Sequence, residues 1–382
     1  MALPHFSTVE EAISTLKPLE PVYALHPARF RAAAQRFLDS FPGTPMYAVK
    51  ANPAPLVLDQ VWASGIRHFD TASLGEVRMI KTRFPDAVCH FMAPVRLRGH
   101  AKGAFEEFGV TDFVVDSDFE LDKLLGEIAD HSKIRVFVRL AAALGGALLE
   151  LSSKFGTNPD EGARLLKRVV AAGAKPAITF HVGSQCLSSF SYAQAVEIVR
   201  RAVDRSGVQI TALDIGGGFP APYLNNDVPP YLWYFDTIRE AIDTLEIPNL
   251  PLYCEPGRAL VAEGVTVITQ VVSRKNDRLY LNDGTYGSFD ELTLPGFDAD
   301  YPNRVFTLDA MGRVTPLAGK TKPYRVYGPT CDTLDVLPRP QMLPESISPG
   351  DFIVFDAMGA YTVAVRTTFN GFWNDTWIEV DG

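Results

Sequence analysis

The chain has 382 residues, of which 47% are hydrophobic and 21% charged, and its formal net charge at pH 7 is −9. This length and composition are typical of a globular protein with one large or two medium domains. The negative charge argues against a nucleic-acid or anionic-membrane partner. We find neither an apolar run as long as a membrane span nor a secretory signal, and the four widely spaced cysteines indicate neither a disulfide framework nor a zinc site. We therefore expect a reducing, cytoplasmic location.

Apolar, strand-like segments alternate with helix-compatible segments through the first two thirds of the chain. The predicted strands end near residues 50, 70, 92, 116, 139, 181, 215 and 255. The helix-compatible segments between them include residues 55–64, 73–83, 118–130, 160–172, 192–205 and 231–245. Eight strands that alternate with helices favour an α/β fold with a parallel (β/α)₈ TIM barrel over an open doubly wound sheet.

The pattern changes after the eighth predicted strand. The segments VTVITQVVSRK, RLYLNDG, YRVYGP, DFIVFDAMGAYT and WIEVDG are strand-like and separated by Gly, Pro, Asn and Asp. They predict an all-β domain, antiparallel and of sandwich or barrel type. We therefore expect a barrel domain over 26–262 and an all-β domain over 263–382, to which part of 1–25 returns.

The first predicted strand ends in a lysine within the stretch MYAVKANP. Strand periodicity places Met46, Ala48 and Lys50 on one face. An ammonium group in a sheet-lined core is costly unless it is paired, neutralised or used in chemistry. A lysine with a depressed pKa at the mouth of a barrel can bind an aldehyde cofactor through a Schiff base. The alternative is a solvated lysine at a strand end.

Polar residues and glycines also end the other predicted strands, where catalytic residues of such barrels lie. They include Asp70, Arg139, His181, Gly216, Gly217, Gly218 and Glu255. The glycine run follows the seventh strand and either cradles a phosphate or forms a tight turn.

The residues after the sixth and eighth strands each allow two interpretations. His181 could stack on a flat ring while Ser184 reaches a phosphate oxygen, or it could be a core histidine. Glu255 could pair with a protonated pyridine nitrogen, or with Arg258 in a structural ion pair.

Two motifs of the all-β domain carry further candidates. In GPTCDTLD, Cys331 could donate a proton beside Asp332 as a cation-binding acid, or it could be a buried loop cysteine. In GAYT, Tyr361 could hydrogen-bond to a phosphate or belong to the core.

Eight motifs, YAVKANP, FDTAS, SKFG, HVGSQ, LDIGGGFP, EPGRALV, GPTCDTLD and GAYT, occur in this order between residues 47 and 362. In them the chain resembles the ornithine/lysine/diaminopimelate decarboxylase family of pyridoxal-phosphate enzymes, and GPTCDTLD is most similar to the ornithine decarboxylase branch. The resemblance implies the alanine-racemase-type barrel of PLP fold type III and pyridoxal 5′-phosphate as cofactor. The implied reaction is decarboxylation of a basic amino acid, L-ornithine to putrescine and CO₂, in polyamine biosynthesis.

The resemblance leaves alternatives. Lysine, diaminopimelate and carboxylated polyamines are alternative substrates. A racemase is disfavoured, because such relatives place an arginine where this chain has Glu255. Outside the enzymes, the alternative is a non-catalytic homologue that regulates an active decarboxylase.

The resemblance also implies roles for the motif residues. Lys50 would bind the cofactor covalently, His181 would stack on its ring, and Glu255 would pair with the ring nitrogen. Asp70 and Arg139 would lie near Lys50. The implied phosphate ligands are Ser184, Gly216, Gly217, Gly218, Gly257, Arg258 and Tyr361.

Substrate contacts are implied to come from a second subunit. Cys331 would protonate the decarboxylated carbon and Asp332 would bind the distal ammonium, with Tyr361 nearby. Cys331 and Asp332 come from the other subunit in this family, so a head-to-tail homodimer is implied. Lys154 and Asp335 match positions that form a salt bridge across that interface.

Two features depart from the family pattern. The second acid for the distal ammonium has no clean counterpart, and the candidates are Asp290, Glu291 and Asp298. The loop over 141–151 is unusually apolar, which leaves its behaviour as a lid and the distal-group preference open.

Overall fold

The computed structural model describes residues 3–142, 145–150 and 153–381. The strands of these residues are β1 (His5–Phe6), β2 (Val22–Leu25), β3 (Thr44–Ala48), β4 (His68–Thr71), β5 (Val88–Phe91), β6 (Asp112–Val115), β7 (Arg135–Leu140), β8 (Ala147–Leu149), β9 (Lys175–Phe180), β10 (Ser184–Cys186), β11 (Leu213–Asp214), β12 (Leu252–Cys254), β13 (Val265–Lys275), β14 (Arg278–Leu281), β15 (Asn303–Leu308), β16 (Val314–Pro316), β17 (Thr321–Tyr327), β18 (Gln341–Pro344), β19 (Phe352–Phe355) and β20 (Trp377–Val380).

The α-helices are α1 (Val9–Leu16), α2 (Pro27–Ser40), α3 (Pro55–Ala63), α4 (Leu74–Arg83), α5 (His100–Phe108), α6 (Asp118–Glu127), α7 (Pro159–Ala171), α8 (Phe190–Ser206), α9 (Tyr231–Asp243) and α10 (Arg258–Val261). Short 3₁₀ turns cover Val49–Ala51, His131–Lys133, Ala262–Gly264, Asp290–Thr293 and Phe369–Gly371. Local sequence explains several helix starts, because Ser73, Ser117 and Asn158 each accept a hydrogen bond from a backbone amide of the first turn that follows.

Eight parallel strands close into a barrel in the order β3, β4, β5, β6, β7, β9, β11 and β12. Helices lie between most of the consecutive barrel strands along the chain. This arrangement confirms the predicted (β/α)₈ TIM barrel. A small apolar cluster that includes Met46, Val114, Phe137 and Ala177 joins side chains from different barrel strands. Such layers of inward-pointing residues fill barrels of this size, so the barrel interior is a packed core.

Lys50 lies just beyond a strand, not within one. β3 ends at Ala48, and Lys50 belongs to the 3₁₀ turn Val49–Ala51, which the Asn52 amide closes on the Val49 carbonyl at 3.1 Å. The prediction that strand alternation aligns Lys50 with Met46 and Ala48 was therefore wrong. Because Pro53 follows, Asn52 adopts an extended backbone conformation. The turn that precedes Asn52 contains Lys50.

The second sheet confirms a β domain beside the barrel, although it is mixed and not purely antiparallel as expected. Its strands follow the path β1, β20, β2, β13, β14, β17 and β18, and β19 joins β13 to β15, which pairs with β16. β20 is parallel to both β1 and β2, and β14 is parallel to β17. The strands β1 and β2, from the first 25 residues, thus pair with the last strand of the chain.

Within the described residues, no helix combines the length and the apolar character needed to cross a lipid bilayer. All four cysteines are free, with Cys331 exposed and Cys89, Cys186 and Cys254 buried. The described residues contain no group of three or more metal-ligating side chains.

Candidate active site

Lys50 and Asp70 form an ion pair at the carboxyl ends of neighbouring barrel strands. Lys50 Nζ donates to Asp70 Oδ2 at 3.2 Å, and the carboxylate is almost fully buried while 44% of the lysine side chain is exposed. The pairing of β3 and β4 sets Ala48 opposite Asp70 and so brings the turn that carries Lys50 to the acid. The lysine amine is therefore accessible and oriented at the mouth of the barrel.

The pKa of Lys50 is raised and not depressed as the sequence led us to expect. Burial lowers the pKa of this ammonium, but the attraction of the Asp70 carboxylate outweighs that effect. The prediction considered the lysine without Asp70, a buried carboxylate that the neighbouring strand β4 places beside it.

Glu255 and Asp214 form a buried carboxyl pair at the ends of β12 and β11. Their side chains are hydrogen-bonded, and Asp214 also accepts from the Thr179 hydroxyl at 2.6 Å and the Gly216 amide at 3.0 Å. Burial and then Asp214 raise the pKa of Glu255 well above its usual range, and burial raises that of Asp214 to about 6. Since two carboxyl groups in contact need a shared proton and Asp214 already has two donors, the proton resides on Glu255.

His181 is a neutral ring at the end of β9. Its Nδ1 accepts from the Gly183 amide at 3.0 Å, so the ring proton is on Nε2. Burial, followed by the charges of Arg139 and Lys50, lowers the pKa of His181 well below its usual range. A neutral, flat imidazole held from one edge is suited to stacking against another ring.

The glycine run after β11 requires glycine for two reasons. Gly216 and Gly218 have φ values of 67° and 102°, in the left-handed region. A Cβ on Gly216 would also lie 2.2 Å from the Phe180 carbonyl oxygen, and one on Gly218 would lie 2.4 Å from that of Gly183. The loop therefore presents backbone without side chains at the barrel mouth, which suits close approach to an anion.

Arg258 brings several of the predicted phosphate residues together. Its guanidinium donates to the Ser184 hydroxyl at 3.1 Å and lies 4.9 Å from the centre of the Tyr361 ring. Tyr361 itself has a left-handed φ of 55°, a strained conformation that is common at binding sites. The acid that pairs with Arg258 is Glu291, so the alternative of a Glu255–Arg258 ion pair was wrong.

This donor set fits the cofactor that the sequence implies. Lys50 supplies an accessible amine, His181 a neutral flat ring, and Glu255 a protonated buried acid opposite the lysine. Beside them, the Nε of Arg258 is buried and has no hydrogen-bond partner among the described residues. Together these groups match an aldehyde, an aromatic ring with a basic nitrogen, and an anionic phosphate.

The family model described as "Pyridoxal-dependent decarboxylase, pyridoxal binding domain" matches residues 27–262. The chain belongs to this family of pyridoxal-dependent decarboxylases. Its cofactor is therefore pyridoxal 5′-phosphate, and it is a carboxy-lyase that acts on a basic amino acid.

Named relatives cover most of the chain but differ in substrate. The lysine/ornithine decarboxylase of Selenomonas ruminantium is 35% identical over 86% of this chain and 81% of its own length. The ornithine decarboxylase of Schizosaccharomyces pombe is 32% identical over 88% of this chain and 78% of its own. The structure of the Paramecium bursaria Chlorella virus arginine decarboxylase bound to agmatine has a TM-score of 0.84 and 27% identity, covering 98% of each chain.

In this decarboxylase the predicted substrate residues Cys331 and Asp332 lie on the loop between β17 and β18. Cys331 is exposed, its backbone amide donates to Asn370 at 3.0 Å, and Asp332 accepts from the Tyr286 hydroxyl and the Leu334 amide. Among the described residues no hydrogen bond or ion pair joins either residue to Lys50, Glu255 or Arg258. The hydrogen bonds of these two residues therefore go to loops outside the barrel strands.

The hydrogen bonds of the Asp335 carboxylate are made to neighbouring loops of the same chain. It is buried, and its carboxylate accepts from the amides of Thr285 at 2.8 Å and Thr330 at 3.0 Å. Lys154 lies 5.0 Å from the centre of the neighbouring Phe155 ring. This arrangement leaves Asp335 little exposed carboxylate for a lysine of a second subunit.

The three candidates for the second distal acid have different environments. Glu291 is paired with Arg258, and Asp298 with Arg339 at 2.9 Å. Asp290 is half-buried, burial raises the pKa of its carboxyl, and that carboxyl has no hydrogen-bond or ion-pair partner among the described residues. Asp290 alone of the three is unpaired.

The apolar loop over 141–151 is described in part, since residues 143, 144 and 151 lie outside the described ranges. Its strand β8 pairs antiparallel with β10, and Leu149 lies opposite Ser184. The loop therefore contacts the segment that carries a predicted phosphate ligand. Whether it behaves as a lid stays a prediction.

Sequence reasoning missed two residues of this site. Asp214 ends a predicted strand immediately before the glycine run, and that position was the available signal. Glu291 had been considered only for the substrate ammonium, and its contact with Arg258 joins residues from different elements.

Proposed function

We propose that the chain decarboxylates L-ornithine to putrescine and CO₂, and so serves polyamine biosynthesis. The observation that carries the proposal is the buried carboxyl pair of Glu255 and Asp214 at the ends of two adjacent barrel strands. An acid in this position suits a cofactor that must accept electrons from the substrate. The aspartate after Cys331 and the curated ornithine decarboxylase among the relatives support ornithine as the substrate.

Each residue of the barrel mouth has a role in holding the cofactor. Lys50 would bind it covalently while Asp70 orients the lysine amine, and His181 would lie against the ring face. Arg139 stands near the lysine and the histidine, and its charge favours the neutral imidazole. The residues that would hold the phosphate are Ser184, Gly216, Gly217, Gly218, Gly257, Arg258 and Tyr361.

The protein controls where protons reside during the reaction. When bound, pyridoxal phosphate supplies the electron sink for the pair of electrons that departing CO₂ leaves behind. Glu255 keeps a proton at the ring nitrogen, and Asp214 holds Glu255 in the correct orientation through the carboxyl–carboxyl hydrogen bond. Asp70 accepts a hydrogen bond from the Lys50 amine whenever that amine is free.

We infer that the remaining contacts come from a second copy in a head-to-tail homodimer. Cys331 donates the proton that replaces CO₂ on the substrate carbon, and Asp332 binds the distal ammonium. Their location on a loop apart from the barrel mouth of their own chain supports this assignment. A buried Asp332 would disfavour analogues that lack the distal ammonium, because the acid would then be left unpaired.

Lysine is the second candidate substrate. The Selenomonas ruminantium relative, 35% identical to this chain, is named for both lysine and ornithine. The two substrates differ by one methylene, a difference that apolar contacts alone discriminate by only about 10- to 200-fold.

The test is a CO₂-release assay on purified protein with ornithine, lysine, diaminopimelate and arginine, each with and without added pyridoxal phosphate. We expect the highest kcat/KM with ornithine, lysine in second place, and dependence on the cofactor. A preference for lysine, arginine or diaminopimelate would reject ornithine and keep the decarboxylase. A colourless protein that releases no CO₂ from any of them would instead favour the non-catalytic regulatory homologue.

A further inference from the structure

Glu291 forms an ion pair with Arg258, whose guanidinium binds the cofactor phosphate in the proposed function. The residue lies in the 3₁₀ turn Asp290–Thr293, and its two carboxylate oxygens accept from both Nη atoms of Arg258, one of them at 2.8 Å. The side chains of Arg258 and Glu291 are 3% and 2% exposed. This two-pronged contact is the strong geometry of an arginine–carboxylate pair.

The pair leaves few donors of Arg258 for an anion. A guanidinium has five N–H groups. Glu291 takes two, and the Tyr223 hydroxyl at 2.7 Å and the Ser184 hydroxyl at 3.1 Å take one each. The Nε–H, which is buried and has no hydrogen-bond partner among the described residues, is the donor that remains. Aromatic rings enclose the rest, with Phe297 centred 5.0 Å from Cζ.

The carboxylate also cancels the charge that attracts a phosphate. A phosphate beside an isolated arginine is attracted by a full positive charge. Beside this pair, the net charge is zero, and the Glu291 carboxylate repels the phosphate. Conversely, Glu291 keeps the buried guanidinium paired in the protein without cofactor, a state in which a lone buried charge would be costly.

We propose that Glu291 competes with the cofactor phosphate for Arg258 and thereby limits the affinity of the protein for pyridoxal 5′-phosphate. The inference rests on the proposed function, in which Arg258 holds that phosphate. Its consequence is a cofactor that exchanges with the free pool, because part of the phosphate-binding energy is spent on displacing an internal carboxylate.

The test is the Glu291→Gln variant, since glutamine keeps the shape of the side chain and removes its charge. Purified protein freed of cofactor is titrated with pyridoxal 5′-phosphate, and the visible absorbance of the lysine-bound cofactor gives Kd. We expect Kd to fall about tenfold, as expected for removing one like charge near a phosphate. Inorganic phosphate should compete more strongly with the cofactor in the variant, whereas binding of pyridoxal, which has no phosphate, should be unchanged.

The matched control is Asp290→Asn, which removes the same charge one residue earlier from a half-buried side chain that is not bonded to Arg258. We expect it to leave Kd within about twofold of the wild type. The Glu291→Asp variant adds a second measurement if glutamine disturbs folding, because its shorter side chain loosens the two-pronged contact. It should tighten binding by a smaller factor.

An unchanged or increased Kd in both Glu291 variants would overturn the inference. So would an equal effect on pyridoxal, or an effect of Glu291→Gln that persists in an Arg258→Met background, which has no cation for Glu291 to compete for. If the wild-type protein develops no visible absorbance with either pyridoxal phosphate or pyridoxal, the proposed function fails. If the wild type binds the cofactor and the variants match it, only the role of Glu291 fails.

Discussion

At the scale of single residues, the carboxyl pair of Glu255 and Asp214 is the feature on which we expect turnover to depend most directly. Both carboxyl groups are buried at the ends of adjacent barrel strands, and Asp214 is fixed by Thr179 and the Gly216 amide. Because Asp214 is already satisfied as an acceptor, it directs the proton of Glu255 and restrains its orientation. A pyridine nitrogen facing Glu255 would therefore find an acid and not a free carboxylate.

Replacing Glu255 with Gln should leave cofactor binding largely intact and lower kcat about 100-fold, a typical loss when one preorganised electrostatic group is removed. Glutamine keeps the packing but cannot keep the ring nitrogen protonated. Single-turnover CO₂ release measures the rate, and the visible absorbance of the lysine-bound cofactor reports its binding.

The control for this substitution is Glu263→Gln. Glu263 forms an ion pair with Arg36 at 2.9 Å, and both side chains are more than a third exposed. Its loss should not change kcat, because exposed surface pairs of this kind contribute little. Unchanged turnover in Glu255→Gln would remove the electronic role of that residue.

Site residues were predictable from sequence where a chemically suitable residue type stands at the end of a predicted strand. Ser184 and Arg258, which the motifs group, do meet in the structure. The pairs Asp214–Glu255 and Arg258–Glu291 were not predictable, because each depends on how close two elements approach. The raised pKa of Lys50 was missed for the same reason.

At the scale of elements, neighbouring barrel strands carry a chain of buried and half-buried polar side chains. His68 Nδ1 lies 2.9 Å from His90 Nε2, and His90 Nδ1 lies 2.7 Å from Asp112. Asp112 accepts from Arg135 at 3.0 and 2.6 Å, and Arg135 donates to the Tyr253 hydroxyl at 3.1 Å. His68, Asp112 and Arg135 are the first residues of their strands, and polar groups at that end of a barrel contribute to stability.

The histidine chain makes stability depend on pH. Burial and then His90 lower the pKa of His68 to about 4, below the value of about 6.5 expected in an unfolded chain. A lowered histidine pKa contributes stability above pH ~6.5 that is lost as the pH falls toward ~4. For a group that is only partly buried, we expect a loss of about 2 kcal/mol.

The His68→Gln variant should therefore show a smaller drop in Tm between about pH 6.5 and about pH 4 than the wild type. Thermal melts of the protein without cofactor measure this drop and avoid acid loss of the cofactor. His5→Gln, which removes an exposed histidine, is the control and should follow the wild type. Parallel pH curves for His68→Gln and wild type would contradict the prediction.

Strand alternation predicted the barrel at this scale because all eight barrel strands are short, apolar and separated by helices. The mixed second sheet was harder. β20 pairs in parallel with β1 and β2 and so joins the two ends of the chain. No local sequence pattern predicts this pairing. The 3₁₀ turn at Lys50 was likewise hidden, because Asn-Pro breaks the strand earlier than apolar alternation suggests.

At the scale of the whole molecule, the groups required for the proposed reaction lie in two places. The cofactor residues are at the barrel mouth, whereas Cys331 and Asp332 are on a loop of the second sheet. That loop lies in a region of exposed apolar side chains, with Leu334, Phe372 and Trp373 each at least 45% exposed. An exposed apolar patch around a thiol and an acid is suited to contact with another protein surface.

If each active site combines two subunits, two inactive variants should restore activity together. Lys50→Ala removes the cofactor lysine, and Asp332→Ala removes the group for the distal ammonium. Random pairing makes half of the dimers mixed, each with one intact site, so co-expression should recover up to about a quarter of wild-type activity. CO₂ release from ornithine measures the recovery, and size-exclusion chromatography the assembly.

The control pairs Lys50→Ala with His181→Ala. Both residues belong to the same barrel mouth, so no mixed dimer contains an intact site and no activity should return. Recovery with Asp332→Ala but not with His181→Ala therefore separates a shared site from a general gain in stability on mixing. If neither pair recovers activity although mixed dimers form, Asp332 acts within its own chain, and the loop must then move to the barrel mouth that carries Lys50.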